Sequence, residues 1–335
     1  ITIFMGAIIG SAKDDIKKSL AGSTMSQIGY MVFAAGLGPI GYVYAIFHLL
    51  THGVFKAGLF LGAGSVMHGM NDNVNMRRYG ALRGVMGVTF VTFMAGYLAI
   101  IGIPPFAGFW SKDEIIHAAF ERNSIIGAAA ILAAGITGFY MTRMIAMTFF
   151  GKKRWEDDAH PHESPSVMTI PLVLLALGSV FLGMALLFWG DIKDWLKPVV
   201  GYESVPTPLP TSFYIAVTLI VVIIGAIIGW VMYARRDVPI EAPTGNALTR
   251  AARQDLYGDA VNDVLVVQPT YRAAEMITTF DNKAVDGFVN WTGTFVGDLA
   301  RRLRRSQSGF ARSYALSMVG GALIVATALV LVVLS

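Results

Sequence analysis

Residues 102–114 read GIPPFAGFWSKDE, and they interrupt an apolar stretch, 84–120, that otherwise has the character of a membrane span. Pro104 and Pro105 remove two amide donors, while Gly102 and Gly108 loosen the backbone, so the sequence predicts a break in the helix there. A helix broken at membrane depth is tolerated where its freed backbone lines a hydrated cavity. Lys112, Asp113 and Glu114 follow the break directly, which puts charge at that cavity.

The rest of the chain agrees with a membrane location. Of its 335 residues, 55% are hydrophobic and only 14% charged, against roughly one-quarter charged in a soluble domain. Apolar runs such as 213–233 and 314–334 are long enough to cross roughly 30 Å of hydrocarbon. They do not alternate as the strands of a barrel would. Hydropathy and breakers place spans near 22–36, 39–68, 84–120, 124–150, 168–189, 212–233 and 313–334, with a partial one at 1–12. The fold class is therefore an all-α integral membrane protein, a multi-span helical bundle with one discontinuous helix. Four segments are expected: 1–150, 151–233, 234–312 and a terminal anchor at 313–335. The absence of cysteine removes disulfides, thiolate zinc sites and cysteine-held iron–sulfur clusters from this sequence. The opening ITIFMGAIIG has no basic region ahead of its apolar run, so it reads as the tail of a membrane helix rather than a signal peptide, and the chain as a C-terminal piece of something larger.

Charge alternates between the connections. Lys13, Lys17, Lys18, Arg77, Arg78, Arg83, Lys152, Lys153 and Arg154 fall in loops of one parity. The other parity holds Arg122, Lys193 and Lys197, the last two set among Asp191, Asp194 and Glu203. Nine basic residues against three place the first set in the cytoplasm and the C-terminus outside. Residues 234–312 are long, cytoplasmic by parity and rich in arginine. Within them Ile277, Phe280, Ala284, Phe288, Trp291, Phe295, Leu299 and Leu303 recur three or four apart, with polar residues on the other faces. This predicts an amphipathic helix of roughly 40 Å or more, either lying along the protein or membrane surface or simply covering a cytoplasmic loop.

The second cluster of titratable groups is HLLTHGVFK, residues 48–56. On a helix His48, His52 and Lys56 form one column with Thr51 beside it, successive members rising about 6 Å. Placing a lysine near the bilayer centre costs roughly 2.5–3.5 kcal/mol, so Lys56 should give up its proton readily or sit in water. Histidine titrates near neutrality, so the column can carry protons, with intervening waters or side-chain swings because 6 Å exceeds a hydrogen bond. The competing reading is that the histidines only bind neighbouring helices; a metal site lacks an accompanying acid or thiol. Lys112 and Asp113 likewise read either as an ion pair capping a half-helix or as a pair that exchanges protons in a water-lined break. His117 and Glu121 continue the Asp113 face toward the far loop, where Glu121 is read as an ordinary loop residue. GLGPIG at 36–41 matches a dinucleotide fingerprint but lacks a βαβ context. HPHE at 160–163 is read as solvated, and Arg143 as snorkelling toward the basic loop at 152–154.

Three stretches together carry a family resemblance: DDIKKSLAGSTMSQIGYM at 14–31, IFHLLTHGVFKAGLFLGAGSVMHG at 46–69, and GIPPFAGFWSKDEI at 102–115. They resemble the second half of the L-type antiporter-like membrane subunit of complex I, the proton-pumping NADH:quinone oxidoreductase; the 234–312 segment resembles that subunit's lateral helix. The resemblance implies two inverted five-helix repeats and a mid-membrane polar axis. On it His48, His52 and Lys56 match the helix linking two half-channels, and Lys112 with Asp113 match the broken-helix lysine and its neighbour near the outward exit. The sister subunits typically carry a glutamate in place of Lys112. GSTMSQ at 22–27 departs from the usual YSTMSQ. The resemblance further implies no cofactor in this chain, with NADH, FMN, iron–sulfur clusters and quinone in partner subunits. Expected partners are the antiporter-like subunits M and N, reached by the lateral helix, the missing N-terminal half, and membrane lipids, with no nucleic acid. The implied location is the bacterial inner membrane, the lateral helix on its cytoplasmic side. Two related alternatives remain open: a subunit of an Mrp-type Na⁺/H⁺ antiporter, and a subunit of a ferredoxin-driven photosynthetic relative.

Overall fold

In the computed structural model, which describes residues 1–156, 159–201, 206–307 and 309–334, the described chain is helical with no strand. Glu203, counted above among the loop charges, lies outside the described residues. The chain divides into two units, Ile1–Gly258 and Asp259–Ser335.

The first unit is a bundle built around one long helix. Its elements are α1 (Thr2–Ala12), α2 (Ile16–Gly36), α3 (Pro39–Gly69), α4 (Gly87–Ile101), α5 (Ala107–Arg122), α6 (Ser124–Phe149), α7 (Ser166–Met184), α8 (Ile192–Val200), α9 (Thr211–Tyr233) and α10 (Ala247–Arg253). Helix α3 packs against α2, α4, α5, α7 and α8, so the His48 column lies on an element surrounded by other helices. Starts are set locally. Asp15 accepts from the amides of Lys17 and Lys18 at 2.8 and 3.0 Å, Pro39 opens α3, and Asn123 accepts from Ile125 at 2.8 Å. Helices α6 and α9 approach so closely that a Cβ on Gly225 would stand 2.1 Å from the Gly135 carbonyl. Close approach through small residues is how helices associate where surrounding lipid offers no hydrophobic drive.

The expected break divides 84–120 into α4 and α5. Gly102, at φ +82°, ends α4: its amide donates to Ala99 at 3.0 Å and that of Ile103 to Leu98 at 3.1 Å, the bonding of a Schellman cap. Five helical segments among the described residues are long and apolar enough to cross a membrane: Pro39–Gly69, Ser124–Phe149, Ser166–Trp189, Thr211–Tyr233 and Ala311–Leu334. Helix α2 is longer than its expected 22–36 core but too polar for that set, because it carries Ser19, Ser23, Ser26 and Gln27 inward.

Two expectations fail at one end of this bundle. The Arg143 guanidinium does not snorkel to solvent: the residue is 2% exposed, bonded to the Lys13 carbonyl at 2.7 Å and to Asp14. Asp14 also accepts from Arg77 Nε at 2.7 Å, so the Arg143 guanidinium meets a loop carboxylate that it shares with Arg77 instead of reaching water. Burial, and then the nearby Arg77, pull Arg154 below its ordinary value. The carbonyls of Met147 and Arg77, at 2.6 and 2.9 Å, hold it in place. The HPHE loop is likewise more than solvated. His160 and His162 are exposed, but Glu163 accepts from the amides of Val88 and Thr89 at 2.7 and 3.2 Å and from the Thr89 hydroxyl at 2.5 Å, capping the start of α4. A carboxylate suits that place because the first amides of a helix have no internal acceptor.

In the second unit, α11 (Gly258–Asn262), α12 (Gln268–Phe280) and α13 (Asp286–Arg305) join through π-helical turns at Asp263–Val267 and Asp281–Val285 into a near-continuous rod. At 1.5 Å per residue it is roughly 70 Å long, well beyond the expected minimum. Trp291 stacks between Phe288 and Phe295, with ring centroids 5.9 and 5.3 Å away. Helix α14 (Ala311–Leu334) follows.

Candidate functional site: a buried polar axis

All five residues singled out by sequence are buried: His48, Lys112, His52, Lys56 and Asp113 are 0, 0, 4, 5 and 8% exposed. His48, His52 and Lys56 share one face of α3, and the two imidazole centroids are 5.9 Å apart, too far for a direct bond along the column. The connections run sideways instead. Lys56 Nζ donates to Ser23 Oγ on α2. His48 Nε2 meets Gln27 Oε1 at 3.2 Å, also on α2, and its Nδ1 meets Ser111 Oγ at 2.8 Å, on α5. An amide oxygen only accepts, so with Gln27 oriented this way a neutral His48 ring donates from Nε2 and accepts from Ser111 at Nδ1. Ser111 is also 2.8 Å from Thr51 Oγ1, which ties the histidine column to the first turn after the break.

The double proline explains where Lys112 goes. In an unbroken helix the carbonyl of Ile100 would accept from residue 104, but Pro104 has no N–H. Lys112 Nζ donates to that carbonyl instead, at 3.0 Å. It thereby sits at the C-terminal end of α4, where the helix dipole favours a cation. The cap expected of Lys112 is thus made by the lysine alone: its ammonium bonds a carbonyl, and both carboxylate oxygens of Asp113 are buried with no hydrogen-bond partner.

Sequence reasoning missed Ser23, Gln27 and Ser111, and with them Tyr140 on α6, which stands close to Ser23, Ser26 and Gln27 of α2 and to Thr137 on its own helix. The signal for the first two was present: Ser19, Ser23, Ser26 and Gln27 recur three or four apart along one face of α2, and all are fully buried. Orphaned polar atoms sit here, namely His52 Nε2 and both Asp113 oxygens, while Tyr140 Oη stands close to Ser23, Ser26 and Gln27 without a well-formed bond to any of them. Buried polar atoms without protein partners call for water or a mobile proton. The arrangement is therefore suited to passing protons between Lys56 on one side and Lys112 with Asp113 on the other.

An all-helical bundle with a broken helix and a buried lysine–histidine axis defines an antiporter-like membrane protein. Residues 1–137 match the family model described as NADH:quinone oxidoreductase/Mrp antiporter, TM. The particular similarity is to NADH-quinone oxidoreductase subunit L of Mycobacterium tuberculosis (strain H37Rv), 55% identical over 99% of this chain and 53% of the relative. NAD(P)H-quinone oxidoreductase chain 5 of Picosynechococcus sp. is 38% identical over 96% of this chain and 54% of the relative. Among solved structures, an archaeal membrane-bound sulfane sulfur reductase matches 97% of this chain and 54% of its own, with 26% identity and a TM-score of 0.55. The Mrp complex from Dietzia sp. matches 65% of this chain and 47% of its own, with 21% identity and a TM-score of 0.54, and supports the fold alone. The chain spans about half the length of the curated relatives it matches.

Proposed function

We propose that this chain forms part of a proton-translocating membrane subunit of an NADH:quinone oxidoreductase, the counterpart of the second half of subunit L. One observation carries the reading: two lysines and two histidines lie in one buried polar set on α2, α3 and α5, in which Lys56 bonds Ser23, His48 bonds Gln27 and Ser111, and Lys112 is anchored on the Ile100 carbonyl with Asp113 beside it. Quinone reduction elsewhere would supply a charge change, and this axis would answer it by taking up and releasing protons. No redox step falls to this chain; NADH, FMN, iron–sulfur clusters and quinone belong to partner subunits in this reading. The partners are the missing N-terminal half and the neighbouring antiporter-like subunits M and N, which the 259–305 rod would contact. The setting is a bacterial inner membrane, with the rod on the cytoplasmic face.

Cation antiport of the Mrp type is the weaker reading, because the position at the break is a lysine, which repels Na⁺, where a cation ligand should be acidic. The 55% identity to subunit L also favours an NADH-driven complex over the photosynthetic relatives. The deciding experiment places Lys112→Ala in the full-length subunit of the assembled complex and measures proton pumping against NADH:quinone turnover. A fall in protons per electron with turnover retained supports the reading. Unchanged pumping makes Lys112 structural and overturns it.

A further inference from the structure

Asp113 is among the residues that line a pocket the axis described above does not use, its two carboxylate oxygens buried just inside the wall. This pocket of about 130 Å³, open on one side, lies between α5, α9 and the π-helical turn that ends α7, lined by Phe109, Asp113, Glu114, His117, Leu187 and Thr211 among others. Beyond it, His117 is held through both ring nitrogens: Nδ1 lies 3.1 Å from Glu121 Oε1, and Nε2 lies 3.2 Å from Thr211 Oγ1. Glu121 is not the ordinary loop residue expected from sequence, since its side chain is only 4% exposed. Asp113, His117 and Glu121 are spaced by four on α5, so they form one stripe rising about 12 Å from the break to the 122–123 turn. The asymmetry of basic residues places that turn outside. Glu114, the remaining acid on the wall, is occupied by Lys193 of α8 at 3.0 Å, which leaves Asp113 as the carboxylate without a protein partner at the inner end.

We propose that Asp113, His117 and Glu121 form the outward proton exit of this subunit, with His117 the relay between the two acids. The inference rests on the translocation reading above. A proton leaves the Asp113 carboxyl for water in the cavity and reaches His117 Nε2, while the proton on Nδ1 passes to Glu121. The imidazole ends neutral, Asp113 is left as carboxylate, and Glu121 holds the proton until water takes it. Thr211 fixes the ring so that Nδ1 faces Glu121, and Lys193 holds Glu114 aside so that it does not compete.

The test uses the assembled complex in proteoliposomes, with His117→Ala, His117→Gln and Glu121→Gln in the full-length subunit. Proton delivery should fall about tenfold or more in each, the order expected when a proton-transfer group is lost. His117→Gln keeps a hydrogen-bonding side chain of similar reach, so its loss separates proton carriage from structure. Imidazole added from outside should restore delivery in His117→Ala but not in Glu121→Gln, a rescue that a purely structural histidine would not show. Arg122→Gln, at the same helix end but outside the cavity, should pump normally. If Lys112→Ala uncouples the complex while the His117 and Glu121 variants pump normally, the exit is elsewhere and this inference is wrong. Loss of delivery in His117→Ala without imidazole rescue overturns the relay. If Lys112→Ala also pumps normally, the translocation reading itself has failed.

Discussion

Two regions of the first unit bury charge in opposite ways. At the end of the bundle where the 13–15 and 70–86 loops meet, Asp14 takes Arg77 and Arg143 together, and Arg143 also bonds the Lys13 carbonyl. In the middle, His52 keeps a ring nitrogen unbonded and Asp113 keeps both oxygens unbonded, although both residues are buried. Burial alone therefore does not mark the site. A buried charge with a fixed partner is held in one protonation state and one geometry, whereas a buried polar group without one is free to change either. The first arrangement clasps loops; the second can conduct.

The largest effect that would sharpen this contrast is on the clasp. Asp14→Asn leaves two buried guanidiniums sharing a neutral acceptor, and breaking a buried pair costs about 3–5 kcal/mol. The expected outcome is a markedly lower unfolding temperature and poor assembly of the full-length subunit in detergent. Assembly and thermal stability equal to wild type would show that the arginines rely on backbone carbonyls alone, and the contrast would lose its first half.

A smaller effect tests whether the clasp principle extends to the neighbouring loop. Glu163→Ala removes the acceptor of two α4 amides and the Thr89 hydroxyl. Loss of a helix cap costs about 1–2 kcal/mol. The expected readout is a modest fall in melting temperature, together with faster proteolysis within 159–165. An unchanged digestion pattern would mean that the Ser65–Ser164 contact at 2.7 Å suffices to seat the loop.

The same contrast explains what the sequence made legible. Breaks, spans and the titratable column depend on local composition: two prolines, a glycine and a four-residue spacing are visible in one dimension. Lys112 finding the Ile100 carbonyl was latent in the same stretch, since the acceptor is orphaned by Pro104 four residues on. The sideways links were not legible, because Ser23, Gln27 and Ser111 become part of the axis only when α2 and α5 pack on α3. Arg143, Glu121 and Glu163 were misread for one reason. Each looks like a loop or boundary charge along the chain, and each acquires its partner from the packed tertiary arrangement or, for Glu121, from the turn of helix beneath it.

Asp113→Asn should have the smallest effect on stability and is the sharpest test of the second half of the contrast. The substitution changes one oxygen to an amide nitrogen of nearly the same size, and no hydrogen bond to the carboxylate is lost, because neither oxygen accepts one. Lys112 keeps its own anchor on the Ile100 carbonyl at 3.0 Å. A buried carboxylate that accepts no hydrogen bond carries a desolvation cost that a neutral amide of the same shape largely avoids, so the unfolding free energy should move by less than about 1 kcal/mol. Proton translocation should nevertheless fall, since an amide neither takes up nor releases a proton in this range. A variant that is stable and still pumps at the wild-type ratio would mean that the orphaned carboxylate is idle. A variant as unstable as Asp14→Asn would mean that Asp113 holds Lys112 in place after all, and that the axis is clasped like the loops below it.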